Sequence, residues 1–449
     1  MDISLISHAS VVIDAGGARI WTDPWTSSRA FNNSWSLLGQ PAYSPAMLDD
    51  IGYLWISHEH PDHFNVPTLK GLPEDFKRRV VVLFQQHNSD KVFAALRAFG
   101  FVHFKSLPNG RMVSLAPGTE LMCYQASFGD SCLAVRHGGE VVFNVNDAEL
   151  SATDCRRILR RVGKVDVVLN QFSLAGYNGY PHRDRVLPVL ADEKLARLLN
   201  NHRELGARVT VPFASFVYFS SNDNRYLNAY GNSPARVGAY MGEHGARVRF
   251  LFPGEGATVA ELAAQDGPDE ALARWQALYE QVDRLAYSID PPVALPDIAR
   301  RVDKFSASMR EFFPSILIRR IKPISFFLPD LGHGARCDVA GGMLEQAAIA
   351  RCDADIVLNS QPLEAAFSYP SGFETLAVSG RFEVQHHMKN WQLLKSLTIL
   401  WNNQIYLRPR YLLDRRLLRY LAARIRAGLL RQMLGKARLR AAALRADSR

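Results

Sequence analysis

Short apolar runs of β-type residues recur through the first 260 residues of the chain. Residues 53–56 (YLWI) and 80–84 (VVVLF) are continuously apolar, which is typical of strands buried on both faces. Residues 11–21 read as two apolar runs around a Gly-Gly turn, which predicts a β-hairpin. Stretches with helical spacing lie between the strands, near residues 88–99, 151–161, 191–203 and 234–244. Residues 1–260 are therefore predicted to form one layered α/β domain.

The hydrophobic pattern changes after this domain. Residues 261–336 show helical spacing interrupted by prolines, which predicts a helical connector. Residues 337–408 are predicted to form a small α+β unit, with strands at 354–358 and 375–383. Residues 409–449 are predicted to form a basic amphipathic helical tail, because within residues 413–426 leucines and arginines occupy opposite helical faces.

Composition and charge change this picture in one respect. The chain has 449 residues, of which 47% are hydrophobic and 22% charged, and this excludes a disordered, collagen-like or multi-span membrane protein. The formal net charge is +9, but residues 401–449 hold 13 basic and 2 acidic residues. The other 400 residues hold 40 basic and 42 acidic residues, so their charge balance gives no argument for nucleic-acid binding.

The chain is expected in a reducing, cytoplasmic compartment. Its five cysteines are widely spaced without a CxxC pair, and neither a signal peptide nor an apolar run long enough to span a bilayer is apparent. The basic tail leaves two readings open. It either packs on the body with a solvated arginine face, or lies at the inner face of the membrane as a peripheral contact.

The strongest chemical signal is the sequence SHEHPDH at residues 57–63, directly after a predicted buried strand. His58 and His60 lie two residues apart, and Asp62 and His63 follow at once. A turn that leaves a strand end can direct these side chains at two points about 3.5–4 Å apart, the separation of a two-metal site. Imidazole and carboxylate ligands suit Zn²⁺, iron or Mn²⁺. The alternative is a solvated polar loop that holds three histidines.

These residues resemble the metal motif of the metallo-β-lactamase fold, an αββα sandwich. Residues 8–13 (HASVVI) and 21–25 (WTDPW) resemble the opening of its UlaG-like branch. Residues 23–70 also resemble the metallo-β-lactamase part of the CMP-N-acetylneuraminate hydroxylase family, and shorter matches extend to about residue 255. A weaker similarity at residues 376–387 implies that the C-terminal unit is shared as well.

The resemblance implies a dinuclear site with two divalent metal ions. His58 and His60 would bind one metal, Asp62 and His63 the second, and Asp147 would bridge them. Asp147 is otherwise explained as an acidic residue that precedes a helix. Asp62 would also be the catalytic residue that orients a metal-bound water.

Two further residues are implied to support the metal ligands. Asp23 stands where the family has a carboxylate that orients a metal ligand. His8 falls at a strand start near the same rim, and a purely structural histidine is an equally good reading of it.

The sequence departs from the family at two ligand positions. No histidine precedes Asp130, where the chain reads QASFGD, and none occurs at residues 170–176. His87 and His182 are candidate replacements, although each is also readable as a surface-loop histidine. Gln125 is a third candidate for the same role.

The hydroxylase family pairs this fold with a Rieske iron–sulfur domain, whose cluster needs Cys-x-His and Cys-x-x-His. None of the five cysteines has a histidine two or three positions later. The first hypothesis is therefore an O₂-dependent hydroxylase of a nucleotide sugar or other N-acyl compound. It would use iron and a separate electron-transfer protein. The second is a zinc-dependent hydrolase of an ester, lactone or phosphodiester. A third is a degenerate scaffold without activity.

Overall fold

The structure is a computed structural model. It describes residues 1–411, 414 and 417–418, with gaps at residues 88, 127–128, 175–176, 178, 180–182, 265–268 and 387. Most of the predicted tail, residues 409–449, lies outside the described residues. Within the part of the chain that is described, no helix combines the length and the apolar character needed to cross a membrane.

The strands alternate with helices along the chain. In chain order the strands are β1 (Asp2–Ser7), β2 (Ser10–Ala15), β3 (Ala18–Thr22), β4 (Trp35–Leu37), β5 (Tyr53–Ile56), β6 (Val81–Gln85), β7 (His103–Leu107), β8 (Met112–Ala116), β9 (Thr119–Gln125), β10 (Ser131–His137), β11 (Glu140–Asn146), β12 (Val167–Gln171), β13 (Val209–Phe213), β14 (Val217–Phe219), β15 (Gly256–Thr258), β16 (Ile324–Leu328), β17 (His333–Asp338), β18 (Met343–Ala347), β19 (Ile356–Val357) and β20 (Glu383–Val384).

The α-helices lie mostly outside the sheets. They are α1 (Val66–Gly71), α2 (Glu74–Arg79), α3 (Lys91–Ala98), α4 (Ala152–Val162), α5 (Arg183–Glu204), α6 (Pro234–Glu243), α7 (Val259–Ala264), α8 (Glu270–Tyr279), α9 (Leu295–Phe312), α10 (Ser315–Ile318), α11 (Ser360–Ser368), α12 (Gly372–Ser379) and α13 (Met388–Asn402).

Two large sheets form the first 260 residues. One has the strand order β15-β1-β2-β3-β5-β6-β7, and the other β13-β12-β11-β10-β9-β8. Strands β3, β5, β6 and β7 run parallel, as do β11, β12 and β13. Successive side chains of a strand point to opposite faces, so each sheet contributes to two hydrophobic layers.

The burial pattern shows that the two sheets pack face to face. In β10, Leu133 and Val135 belong to the central core, which also contains Trp55 from β5. The alternate residues Cys132 and Ala134 pack outward in the cluster that contains helix α4. Leu54 and Ile56 of β5 pack outward in the cluster that contains helices α1–α3. The predicted αββα sandwich is therefore confirmed.

A second sheet-and-helix unit follows the helices α7–α10. Its five strands have the order β18-β17-β16-β19-β20, and helices α9 and α11–α13 pack with it in a separate core. This sheet begins at Ile324, ahead of the boundary that the sequence suggested at residue 337. The earlier strands were missed because β16 and β17 lie directly after the helical pattern of the connector.

The strand predicted at residues 375–383 is wrong. Residues 372–379 form helix α12, and only Glu383 and Val384 are extended. The helix buries Phe373, Leu376 and Ala377 on one side, and Gly380 ends it in a left-handed conformation at φ 66°. The tertiary core, rather than the β-type residues themselves, decides the structure here.

Candidate metal centre

The candidate ligands leave the sheets at one common edge. Strands β3 and β5 are parallel, so Asp23 after β3 and Ser57 after β5 emerge side by side. The loop that begins at Ser57 carries the HxHxDH sequence and ends where Asn65 caps helix α1. The Asn65 side chain accepts a hydrogen bond from the Thr68 N–H at 3.0 Å, and its amide donates to the Pro61 carbonyl at 3.1 Å. The loop is therefore fixed at both ends.

Asp23 holds the start of this loop and one of its histidines. Its Oδ1 accepts a hydrogen bond from the Ser57 N–H at 2.8 Å, and its Oδ2 accepts from the Ser57 hydroxyl at 2.7 Å. The same Oδ2 lies 3.0 Å from His63 Nδ1 and accepts from the Asn146 amide at 2.5 Å. Asp23 is completely buried. Because His63 Nδ1 is paired with a carboxylate, its Nε2 is free to face the site.

His58, His60 and Asp130 form the first group of candidate ligands. His58 Nε2 lies 2.8 Å from His60 Nδ1 and 3.9 Å from Asp130 Oδ1. Asp130 immediately precedes strand β10 of the second sheet, so this group brings the two sheets together. Two imidazoles and a carboxylate are a common ligand set for Zn²⁺ or Fe²⁺.

Asp147 forms a second group of candidate ligands with His58 and His63, and it lies beside Asp62. Its Oδ2 is 4.0 Å from His58 Nε2 and 3.3 Å from His63 Nε2. His63 Nε2 is also 3.3 Å from Asp62 Oδ2. Asp147 directly follows β11, whose last residue, Asn146, has a positive φ of 57°. This arrangement can support two ions that share the Asp147 carboxylate.

His8 stands behind Asp62. It is buried in the turn between β1 and β2, and its Nε2 lies 3.3 Å from Asp62 Oδ2. His8, Asp62 and His63 form a third group whose ligand atoms lie within 4.8 Å of one another. His8 can therefore either orient Asp62 or add a nitrogen ligand on that side.

The charges in the site are strongly coupled. Burial tends to raise the pKa of Asp62 and to lower the pKa of His63. The opposite charge of each group outweighs the effect of burial on the pKa of the other. The pKa of Asp62 is therefore held well below its usual value, and that of His63 well above. Burial and the neighbouring His63 and His60 lower the pKa of His58.

The other two carboxylates differ from each other. Burial tends to raise the pKa of Asp147, but His63 outweighs it and brings that pKa to about 2. Burial raises the pKa of Asp130 to about 6. Without a metal ion, the site thus contains both protonated and deprotonated groups. A bound divalent cation would favour the deprotonated form of every ligand.

The donors in the site fit a bound cation. Asp62 Oδ1, Asp147 Oδ1 and His63 Nε2 are buried and make no hydrogen bond to any described residue. Leaving such atoms without a partner costs about 1–3 kcal/mol each. Divalent metal ions would satisfy all three, and the carboxylate-rich set also suits their charge.

The structure does not bring every predicted residue to this cluster. His87 follows β6, where its Nδ1 accepts a hydrogen bond from the Ser89 N–H at 3.1 Å, and it joins none of the three described ligand groups. The Gln125 amide donates to the Gln86 carbonyl instead. His182 lies outside the described residues. Asp130 was not predicted, although the family resemblance placed a ligand just before this position.

The first third of the chain matches a known family. Residues 2–155 match the family model described as the beta-lactamase superfamily domain. Together with the sandwich of two sheets, this match shows that the chain carries a metallo-β-lactamase fold domain. The resemblance of the sequence to the metallo-β-lactamase fold is thereby confirmed.

Two relatives are similar to a larger part of the chain. A putative Rieske 2Fe-2S iron-sulfur protein of Mycobacterium tuberculosis is 25% identical over 253 residues, which cover 53% of this chain and 48% of that protein. A cytidine monophosphate-N-acetylneuraminic acid hydroxylase of Danio rerio is 27% identical over 258 residues, which cover 52% of this chain and 42% of that protein. The chain thus spans about half the length, or less, of these relatives.

Among solved structures, the chain is similar to CmlA, a diiron beta-hydroxylase from Streptomyces venezuelae. The similarity has 16% sequence identity and a TM-score of 0.41, and it covers 57% of this chain and 53% of that one. The family match and the relatives, with the His/Asp clusters, support a metal-dependent enzyme with a dinuclear centre.

Proposed function

Starting from a metallo-β-lactamase fold domain with a carboxylate-rich centre, we propose that the protein is a dinuclear iron enzyme. It would use O₂ to hydroxylate a polar substrate such as a nucleotide sugar or another N-acyl compound. The relatives that include a hydroxylase and a protein named for a Rieske cluster support this reaction class.

The observation that carries the proposal is the position of Asp130. The histidine that the resembling family has just before this position is absent here, and the Asp130 carboxylate lies 3.9 Å from His58 Nε2. With Asp62 and Asp147, the centre then has three carboxylates beside its histidines. Hard oxygen ligands bind ferric iron more strongly than they bind Zn²⁺. This ligand set therefore favours iron and oxidation chemistry.

The protein's own residues prepare the centre in defined ways. A bound pair of iron ions would supply the capacity to activate O₂. Asp23 holds His63 through Nδ1 and thereby directs Nε2 into the site. His8 lies against Asp62 and fixes the orientation of that carboxylate. Ser131 donates to the Ser57 carbonyl at 2.6 Å, which joins the HxHxDH loop to the second sheet.

The electrons would come from a separate protein. Hydroxylation by O₂ places one oxygen atom in the substrate and releases the other as water, which requires two electrons and two protons. None of the five cysteines is followed by the histidine that a Rieske cluster needs. We propose that an electron-transfer partner supplies these electrons, and the relative named for a Rieske cluster supports this.

The second candidate function is metal-dependent hydrolysis of an ester, lactone or phosphodiester. The buried His/Asp clusters that can hold two metal ions support it, and hydrolysis needs no electron donor. Two bound metal ions would lower the pKa of a bridging water to about 7. Asp62, held by His8, would then orient that water for attack.

Metal content and reactivity with O₂ distinguish the two functions. The protein is purified without oxygen from cells supplied with both iron and zinc, and then reduced and exposed to O₂. We expect about two iron ions per chain and an absorption band that changes on exposure to O₂, because the carboxylate-rich ligand set favours iron. Stoichiometric zinc without iron would overturn the iron enzyme and leave hydrolysis as the remaining candidate function.

The variants His58→Ala and Asp147→Ala are expected to lose metal at one or both positions. His103→Ala is the matched control, because His103 is exposed at the start of β7 and joins none of the described ligand groups. Full metal content in both site variants would refute the assignment of these ligands.

A further inference from the structure

The hydrophobic core of the C-terminal unit extends to the metal centre. Trp25, Phe31 and Trp35 of the N-terminal domain belong to the same buried cluster as Phe373 and Trp391 of helices α12 and α13. Residues 25–35 therefore form a layer between the C-terminal unit and the candidate ligands. We call these residues the liner segment.

Two aromatic rings of the liner segment touch histidines of the site. The Trp25 ring lies edge-on to His8, with ring centroids 5.4 Å apart. The Phe31 ring packs against His60 with centroids 6.1 Å apart, and it also contacts Trp35 at 4.7 Å. One ring thus faces the Asp62 side of the centre, and the other faces the His58 side.

The middle of the liner segment has an unfavourable backbone conformation. Phe31, Asn32 and Asn33 have φ values of 50°, 56° and 60°, in the left-handed region that L-residues rarely adopt. Asparagine tolerates this region, but at Phe31 it costs on the order of 1–3 kcal/mol unless surrounding contacts hold the backbone in place. The position of Phe31 against His60 therefore depends on support from outside the segment.

Arg381 of the C-terminal unit provides that support. Its side chain is only 1% exposed, and its Nη1 donates to the Asn32 carbonyl at 3.0 Å and to Asp290 Oδ2 at 2.7 Å. Its Nε and Nη2 donate to Asp223 Oδ2 at 3.0 and 2.7 Å. The planar guanidinium thus fixes three separate segments in one geometry.

Gln361 provides a second contact with the same residue, and this contact is joined to the first because Arg381 Nη1 also donates to Gln361 Oε1 at 3.2 Å. Its side chain exchanges two hydrogen bonds with the Asn32 side chain, at 2.9 and 3.0 Å. Gln361 lies in helix α11, so this contact also comes from the C-terminal unit. Both sides of Asn32, its carbonyl and its amide, are therefore held by this unit.

We infer that Arg381 is a positioning residue for the metal centre, which acts through Asn32 and Phe31 on His60. The C-terminal unit is then part of the centre's construction rather than an appended body. The inference rests on the proposed function, because it requires that His60 binds a metal ion.

The inference predicts a selective loss of metal affinity. Arg381→Lys keeps the charge but loses the bidentate geometry. Phe31→Ala removes the ring that faces His60, and Gln361→Ala removes the contacts with the Asn32 side chain.

Each variant is titrated with Co²⁺, whose visible absorption reports the coordination geometry at each position. We expect the His58–His60–Asp130 position to weaken by about 10–100-fold, the effect typical of residues that orient ligands. The Asp62–His63 position should change little.

A control variant separates positioning from general stability. Arg301→Gln removes an ion pair with Glu364 that joins helices α9 and α11 without contacting the liner segment. It should leave both Co²⁺ affinities unchanged. If Arg381→Lys fails to fold, Phe31→Ala and Gln361→Ala decide the question.

The two proposals fail in different ways. A wild-type protein that binds no metal would overturn the proposed function. A wild-type protein that binds two ions, with unaltered affinity and Co²⁺ spectrum in the folded Phe31→Ala and Gln361→Ala variants, would overturn the positioning role alone. Equal weakening at both positions would also overturn it, because the predicted effect is confined to the His60 side.

Discussion

The Asp23 carboxylate joins three parts of the chain at the metal centre. Ser57 and His63 of the HxHxDH loop contact it, and so does Asn146 at the end of strand β11 in the other sheet. Its backbone is held at φ 37°, an uncommon conformation that directs the side chain toward the loop. The geometry of the HxHxDH residues therefore depends on a carboxylate that does not itself face the ligand groups.

Asp23→Asn is expected to lower metal affinity by about 10–100-fold, because a neutral amide pairs with His63 Nδ1 more weakly than the carboxylate does. Isothermal titration with Zn²⁺ or Fe²⁺ measures this change. Asp50→Asn is the control, since Asp50 is an exposed carboxylate with a single described ion pair to Arg19. Equal affinities in the two variants would show that Asp23 has no orienting role.

Asp130 makes the site sensitive to pH in two opposite ways. Burial raises its pKa from 3.8 to about 6, so the folded protein holds this proton more tightly than the unfolded chain. As the pH rises from 3.8 through about 6, the metal-free protein therefore loses folding stability. The Asp130 carboxyl accounts for up to about 3 kcal/mol of this loss. Metal binding requires the deprotonated carboxylate, so metal affinity should rise over the same range.

The variant Asp130→Asn separates the two effects. At pH 7.5 we expect its metal-free form to be more stable than the wild type, because the asparagine avoids the buried charge. At pH 4 the two proteins should unfold alike, and the variant should bind metal more weakly at neutral pH. Chemical denaturation at both pH values measures the difference. A variant that is less stable than the wild type at pH 7.5 without metal would contradict this account.

At the level of elements, the loop after β5 owes its shape to the helix that follows it. Asn65 caps α1 and also binds the Pro61 carbonyl within the HxHxDH loop. The cap therefore connects helix stability to the positions of Asp62 and His63. Elsewhere in the chain, Ser151 caps α4 through a capping box without contacting the described ligands.

Asn65→Ala and Ser151→Ala should each cost about 1 kcal/mol of stability, the usual effect of losing an N-cap. Only Asn65→Ala should also lower metal affinity, because it alone releases the metal loop. Thermal unfolding and metal titration of both variants test this difference. If both variants retained the affinity of the wild type, the cap would have no part in shaping the site.

Local sequence signals predicted the elements that carry the HxHxDH loop. The continuously apolar residues of β5 and the histidine spacing after them lie within one short stretch, so no distant contact is needed to recognise them. Asp130 could not be recognised in this way, because its neighbourhood to His58 arises from the packing of two sheets. The segment at 375–383 failed for a related reason, since the C-terminal core selects a helix there.

At the scale of the whole molecule, two hydrophobic cores meet at the metal centre. The central core lies between the two large sheets, and the second core joins the C-terminal unit to the liner segment. The division at residue 260 predicted from the sequence follows the end of the sandwich, but the liner segment links the units across that boundary. The sequence could not show this link, because Arg381 and Asn32 are distant along the chain.

The net charge belongs to a different part of the molecule. The first 400 residues are nearly neutral, and the excess of basic residues lies in residues 401–449, mostly outside the described structure. The chemistry of the centre is therefore set by local burial and pairing of charges rather than by the charge of the whole protein.

The most direct test of the central claim is anomalous diffraction at the iron edge from crystals of the iron-loaded protein. We predict two peaks, one bound by His58, His60 and Asp130, and one bound by Asp62 and His63, with Asp147 between them. A single peak, or two peaks of which neither contacts Asp130, would contradict the carboxylate-rich dinuclear centre proposed for this fold.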